Sequence, residues 1–179
     1  MKTTLFIHHS ADPFQGPQFA KTYDYHNRGA PRADGSLKWP TGHGIQYHYF
    51  DDVDGEMKTG MPPDRIAWHS GNQYWNANAL AVCVAGDLTK TVPSDRQLAS
   101  LYSLWKELDY PTIMLHKEVR GTTCPGNFDF RAELKRRYYA DLRQRLKNAV
   151  HALPRFVGTP RGSMLSRLID RLRKTKGVE

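Results

Sequence analysis

Cysteine is scarce in this chain, and long apolar runs are missing from it. Cys83 and Cys124 are its two cysteines among 179 residues, too few for a disulfide framework. No apolar run approaches the roughly 18 residues that a membrane-spanning helix requires. The opening MKTTLFIHHSADP has an apolar run of three residues, too short for the core of a secretory signal peptide. We therefore expect a protein that starts in the cytoplasm.

Acidic residues are scarce at one end of the chain. Residues 131–179 contain 14 Lys and Arg but 4 Asp and Glu, whereas residues 1–130 contain 12 and 14. The formal charge of +8 thus comes from the last segment, and such a segment favours an anionic partner: nucleic acid, a lipid surface or an acidic wall polymer. Aromatic residues for base stacking are sparse there, so we expect no specific nucleic-acid site.

Two kinds of apolar pattern divide the first 150 residues. Runs of β-branched and aromatic residues predict strands, and apolar residues spaced by three and four predict helices. The predicted strands are residues 2–8, 46–51, 56–59, 80–85 and 111–115, and the predicted helices lie within residues 17–29, 94–108 and 130–150. This order predicts a single α/β domain, residues 1–150, with a central mixed β-sheet flanked by helices.

Residues 151–179 are predicted to form a basic extension after that domain. Prolines and glycines between residues 154 and 162 indicate a linker. Residues 163–174, SMLSRLIDRLRK, then place apolar side chains on one face of a helix and basic ones on the other. Such an amphipathic helix either docks on the domain or binds an anionic membrane or lipopolysaccharide, and the pattern leaves both open.

Three residues with metal-ligating side chains follow predicted strands or lie close to one. His8 ends the first strand, His116 directly follows residues 111–115, and Cys124 comes eight residues later. In an open α/β sheet, ligands bind at the carboxyl ends of the strands. Two imidazoles and one thiolate can form the three-ligand set of a catalytic zinc ion. Packed or surface histidines and a buried free thiol are the alternative on pattern alone.

Four motifs surround these positions in a fixed order: IHHSA, IQYHYFDDVDGEMKTG, AWHSGNQYWNANALAVCVAG and HKEVRGTTCPGNFDF. Over residues 1–139 they resemble the zinc-dependent N-acetylmuramoyl-L-alanine amidases, in particular bacteriophage endolysins, and the related peptidoglycan recognition proteins. The resemblance implies a bacteriolytic hydrolase that cuts the amide bond between N-acetylmuramic acid and the L-alanine of the stem peptide. A non-catalytic muropeptide-binding protein of the same fold is the alternative.

The resemblance also assigns the metal ligands and one catalytic group. In this family the zinc ligands are the first histidine of the first motif and the histidine and cysteine of the last motif. Here these residues are His8, His116 and Cys124. His9, beside the first ligand, is expected to be structural, because catalytic zinc sites keep three protein ligands. The tyrosine of the family's Tyr-His-aromatic strand helps catalysis at the metal, which implies that role for Tyr47.

Two residues depart from patterns common in the family. Thr122 stands where some phage enzymes carry lysine; its hydroxyl can still donate a hydrogen bond to an oxyanion, so we expect a catalytic role. Cys83 stands where many bacterial relatives carry a glutamate base, which leaves the base to be Tyr47 or a zinc-bound hydroxide. Because Cys83 lies within an apolar strand, we expect a small buried hydrophobe there.

Further polar residues have weaker assignments. The resemblance places His69 and Asn76 in the substrate groove, whereas the residues alone also fit an exposed loop histidine and a turn residue. Asp51, Asp52 and Asp54 suggest a cation site but lack the remaining ligands of a calcium loop, so we expect a solvated turn.

The resemblance to endolysins implies where the protein would act. Such an enzyme accumulates in the host cytoplasm without a signal peptide and reaches peptidoglycan in the periplasm after release by another protein. We expect it to be a monomer with peptidoglycan as its partner.

Overall fold

The computed structural model describes residues 2–29, 33–37, 41–42 and 44–152. Residue contacts divide the chain into two units, Met1–Arg131 and Ala132–Glu179. The predicted helix at residues 163–174 lies outside the described residues, and the division into residues 1–150 and 151–179 stays a prediction. None of the described helices is both long enough and apolar enough to cross a membrane.

Five strands of the first unit form one mixed sheet. Four of them pair in parallel with their neighbours, and the edge strand β3 pairs antiparallel with β2. The strands are β1 (Thr4–His9), β2 (Tyr49–Asp51), β3 (Met57–Thr59), β4 (Leu80–Val84) and β5 (Thr112–Leu115), in the order β3-β2-β4-β1-β5. Each overlaps its predicted range, which confirms the predicted α/β domain with a central mixed sheet.

The middle strand β4 forms the centre of the core. All five of its residues are buried, as its uninterrupted apolar run predicts for a strand covered on both faces. Cys83 in this strand is fully buried and clusters with Ile45 and Phe50. The expectation of a small buried hydrophobe at Cys83 is confirmed.

Helices follow the predicted order with one addition. The α-helices are α1 (Phe19–Asn27), α2 (Gln73–Asn78), α3 (Asp95–Glu107) and α4 (Phe130–Ala152), and a 3₁₀ turn covers His116–Glu118. At the start of α3, the Ser94 hydroxyl accepts the Gln97 N–H, and the Gln97 side chain accepts the Ser94 N–H, a reciprocal capping box. The short α2 was not predicted, because six residues span too few turns for an apolar period.

The expectation of a solvated turn at the three aspartates is wrong for two of them. Asp51 and Asp52 are 0% and 1% exposed, and only Asp54 lies on the surface. The Asp52 carboxylate accepts hydrogen bonds from the backbone N–H groups of Gln18 and Phe19, at 2.8 and 3.2 Å. It therefore satisfies unpaired donors at the start of α1, where a negative charge is also favoured by the helix dipole.

Candidate metal centre and adjoining groove

The three predicted metal ligands meet at one edge of the sheet. His8 lies near the carboxyl end of β1, and His116 directly follows the parallel neighbour β5. Cys124 comes from the loop that follows, and its Sγ lies 3.8 Å from His8 Nδ1. One ligand atom from each of the three residues lies within 4.8 Å of the others. Parallel strands bring residues distant in sequence to the same edge, so this grouping follows from the topology.

The donor set and its surroundings fit a zinc-type ion. His8 Nε2 lies 3.0 Å from His69 Nδ1, and His116 Nε2 lies 3.2 Å from the Ser70 carbonyl oxygen. Each histidine thus has one ring nitrogen engaged by the protein, as metal-ligating histidines usually have. Two imidazoles and a cysteine sulfur suit zinc, and three protein ligands leave a fourth position open, as in catalytic sites.

Burial keeps the cluster uncharged when it holds no cation. Desolvation, helped by the neighbouring His69 and His116, lowers the pKa of His8 well below its usual value. Burial raises the pKa of the Cys124 thiol to about 11, opposed by the hydrogen bond from the His9 N–H to Sγ at 3.4 Å. The imidazoles are therefore neutral and ready to ligate, whereas the thiol needs a cation to lose its proton.

His9 faces away from this cluster. Its Nδ1 accepts a hydrogen bond from the Leu88 backbone N–H at 3.0 Å. Successive residues of a strand point to opposite faces, so only one of the two adjacent histidines can face the cluster. In the described residues that one is His8, and its role as a metal ligand stays a prediction.

His69 and Asn76 form a buried pair beside the predicted metal ligands. His69 is 6% exposed rather than an exposed loop histidine, and burial lowers its pKa to about 3. Asn76, on α2 and 3% exposed, accepts the backbone N–H groups of His69 and Ser70 at 3.1 and 2.9 Å. Asn76 thus fixes the segment that brings His69 against His8.

Tyr47 lies over His8, the first predicted ligand. Its ring centroid is 5.1 Å from that of His8 and 5.2 Å from that of His26. Burial, together with the neighbouring thiols of Cys83 and Cys124, raises the pKa of Tyr47 well above its usual value. The phenol therefore stays protonated, which suits a hydrogen-bond donor and opposes the role of base.

Thr122 lies at the turn that leads to the cysteine ligand. It is half-buried, and its Oγ1 accepts the Cys124 backbone N–H at 3.2 Å. A hydroxyl that accepts one hydrogen bond keeps its own hydrogen for another acceptor. Thr122 thus orients the loop that carries Cys124 and can still donate.

A groove of about 580 Å³ adjoins the cluster. Its lining includes the predicted site residues Tyr47, His69, Asn76 and His116. It also includes residues that the sequence did not single out, among them Tyr25, Trp68 and Arg120. Trp68 and Arg120 lie within the motifs that carry the family resemblance, one and two positions from assigned residues. Nothing in their spacing distinguished them.

The chain matches one family along most of its length. Residues 2–127 match the profile of Amidase_2, N-acetylmuramoyl-L-alanine amidase. The chain therefore belongs to the N-acetylmuramoyl-L-alanine amidase family. No curated protein matches the chain.

Solved structures of amidases and endolysins are similar to the chain. The N-acetylmuramoyl-L-alanine amidase LysC from Clostridium intestinale URNW is 27% identical, with a TM-score of 0.59, over 76% of this chain and 85% of that one. The Ph2119 endolysin from the Thermus scotoductus MAT2119 bacteriophage Ph2119 is 25% identical, with a TM-score of 0.59, over 75% and 83%. Drosophila PGRP-LB, 20% identical over 70% and 75% with a TM-score of 0.55, shares the fold.

Proposed function

We propose that the protein is a zinc-dependent peptidoglycan hydrolase that cuts the amide bond between N-acetylmuramic acid and the L-alanine of the stem peptide. The observation that carries this proposal is the cluster of His8, His116 and Cys124 beside a groove, in a chain of the amidase family. The likeness to the amidase LysC and to a phage endolysin supports the same activity and an endolysin's role.

The chain's own residues have distinct tasks in this reaction. His8, His116 and Cys124 would hold zinc, which when bound lowers the pKa of a water ligand to about 7 and polarises the scissile carbonyl. Tyr47, whose phenol stays protonated, and the Thr122 hydroxyl would donate hydrogen bonds to the oxygen on which charge develops. Removing one such donor from an enzyme typically costs about 10²- to 10³-fold in rate.

We infer that Cys83 does not replace the glutamate base that many bacterial relatives carry. Burial and the nearby Cys124 raise the pKa of the Cys83 thiol well above its usual value. A buried thiol that stays protonated cannot accept a proton from water, and Tyr47 is protonated as well. Neither Cys83 nor Tyr47 therefore suits the role of base, so proton removal from water would depend on the zinc that His8, His116 and Cys124 would hold.

A muropeptide-binding protein without turnover is the second candidate. The absence of a glutamate at Cys83 favours it, and the fold shared with Drosophila PGRP-LB is compatible with either candidate. A complete ligand set favours the hydrolase, because binding alone does not require two histidines and a cysteine converging on one point. Both candidates have peptidoglycan as their partner.

The place of action follows from the endolysin role. We propose that the enzyme accumulates in the host cytoplasm and acts on the wall from the periplasm after release. Residues 151–179 would then bring it to an anionic membrane or lipopolysaccharide, which deletion of those residues tests. The shortened protein should still cut isolated peptidoglycan and lose its effect on intact cells. If it affects cells as strongly as the full-length protein does, residues 151–179 have no role in binding the cell surface.

The central experiment measures new L-alanine amino termini in purified peptidoglycan. Zinc-loaded protein should release them, and chelator-treated protein and the Cys124→Ala variant should not. Cys83→Ala is the matched control, because it removes the other cysteine without touching the cluster, and it should retain zinc. Muropeptide binding without new termini at any zinc level would establish the second candidate. If the protein neither binds muropeptide nor cleaves peptidoglycan, both candidates are refuted.

A further inference from the structure

Arg120 is the one charged residue among the described residues that line the groove. The other lining side chains are aromatic rings, imidazoles and amides. Arg120 and the predicted metal ligand His116 both line this groove. The groove therefore carries a fixed positive charge next to the metal cluster, and no described carboxylate lines it.

Gly71 makes the space that the Arg120 side chain occupies. A Cβ atom at Gly71 would overlap the Arg120 guanidinium, so no residue with a side chain fits there without moving the arginine. The backbone of Gly71 also has a φ of +68°, which glycine adopts without strain. The loop after His69 is thus shaped around the guanidinium group.

Arg120 is exposed, so its guanidinium is open to a ligand that enters the groove. Within the described part of the chain, the Arg120 side chain has neither an ion pair nor a hydrogen bond. The nearest acidic residue in sequence, Glu118, pairs instead with Arg131, whose two terminal nitrogens lie 2.7 and 2.6 Å from the two carboxylate oxygens. A guanidinium presents five N–H donors in a planar fork that matches a carboxylate.

We propose that Arg120 binds the free α-carboxylate of the second stem residue, D-isoglutamate, and so selects stems in which this group is not amidated. The inference rests on the proposed function, which places the bond to L-alanine at the metal cluster. The second residue then carries the first anionic group on the peptide side of that bond. Arg120, four residues beyond the ligand His116, is the cation in the groove that can meet it.

The discrimination comes from charge. A carboxylate accepts a bidentate pair of charge-assisted hydrogen bonds from the guanidinium. A carboxamide at the same position offers one acceptor and no charge, and its NH₂ group faces the N–H donors of the arginine. Amidation of the stem therefore converts a favourable contact into an unfavourable one.

Two synthetic substrates that differ in one group test this inference. One is N-acetylmuramoyl-L-alanyl-γ-D-glutamyl-L-lysine, and the other carries a carboxamide in place of the α-carboxylate of its second residue. The zinc-loaded protein should show a kcat/KM about 10- to 100-fold higher for the free acid, as expected for a charged hydrogen-bonded pair. In Arg120→Gln the ratio of the two kcat/KM values should approach one, and Arg120→Lys should retain part of it.

Arg96→Gln is the matched control, because it removes one exposed positive charge on α3 that does not line the groove. It should keep the ratio of the parent protein. The ratio is insensitive to the fraction of folded enzyme, so partial unfolding of a variant cannot imitate the result. A ratio near one in the parent, or an unchanged ratio in Arg120→Gln, would overturn the inference.

A binding measurement separates this inference from the proposed function. Calorimetry with the Cys124→Ala variant measures affinity for both compounds without turnover. If the parent protein cleaves neither compound but the variant prefers the free acid, the hydrolase proposal fails and Arg120 keeps its role. If the parent cleaves both equally well, the hydrolase proposal stands and the role of Arg120 is refuted.

Discussion

Replacing Asp51 by asparagine is expected to stabilise the fold above pH 7. Asp51 is fully buried on β2, and in the described residues neither carboxylate oxygen has a partner at normal hydrogen-bond distance and angle. Burial and the charge of Asp52 raise the pKa of Asp51 from 3.8 to about 8, against the opposing effect of the Ser100 hydroxyl. The folded protein thus keeps a proton that the unfolded chain has already released at neutral pH.

The sign of the effect follows from proton binding. Between pH 3.8 and about 8 the folded state binds more protons at Asp51 than the unfolded state does. The free energy of unfolding therefore falls as pH rises through this window and levels off above it. The slope is about 1.4 kcal/mol per pH unit, which amounts to roughly 3.5 kcal/mol between pH 5 and pH 8.

Buried histidines act in the opposite direction over a lower window. Burial lowers the pKa of His26 and of His48 from 6.5 to about 4. Below pH 6.5 the unfolded chain binds protons that these folded histidines exclude, so stability is lost as pH falls from 6.5 toward 4. The histidines are present in both the parent and the Asp51→Asn variant, so the difference between the two proteins isolates Asp51.

Urea unfolding followed by tryptophan fluorescence at pH 5, 6, 7 and 8 measures that difference. The free energy of unfolding of Asp51→Asn should exceed that of the parent by a larger amount at each higher pH. Asp54→Asn is the matched control, because Asp54 lies in the same hairpin but on the surface. Its charge is a minor cause of the raised pKa of Asp51, so this variant should stay close to the parent. Parallel stability profiles of Asp51→Asn and the parent would refute the assignment of a neutral, buried Asp51.

Three further variants test the site and the fold. His69→Phe should weaken zinc binding by about 10- to 100-fold in a chelator competition, because His8 loses the partner of its Nε2; unchanged affinity would mean that the contact is incidental. Thr122→Val should lower kcat/KM by about 10²-fold while Thr122→Ser retains activity, if the hydroxyl donates to the oxyanion; equal rates of the two variants contradict that role. Ser94→Ala should cost about 1 kcal/mol in thermal unfolding through loss of the α3 cap, and an unchanged Tm would argue against it.

Elements encoded by neighbouring residues were predictable from the sequence. The run of β4 is apolar without a break, and a strand at the centre of a sheet is buried on both faces. Ser94 and Gln97 cap α3 within three residues of each other. In both cases the information lies within a few positions, where side-chain period and capping chemistry act directly.

Features that depend on contacts between distant segments could not be predicted from the sequence. Asp52 sits beside a hairpin turn and has the composition of a solvated loop, yet it accepts the N–H of Gln18, 34 positions away. His69 contacts His8 across 61 positions, and Arg120 acquires its place only because Gly71 leaves room for it. The spacing of neighbouring residues carries no information about such contacts. The family resemblance implied a role for His69 but not its contact with His8.

The position of the cysteine ligand also affects when the site can form. His8 and Cys124 are separated by 116 positions, and Cys124 enters the loop that follows the last strand of the sheet. During synthesis the first histidine leaves the ribosome long before the sulfur that completes the set. A nascent or truncated chain that ends before Cys124 therefore lacks a third ligand, so hydrolytic activity would be gained only when the sheet is complete. Under the proposed function, such incomplete chains would not cut the wall of the cell that makes them.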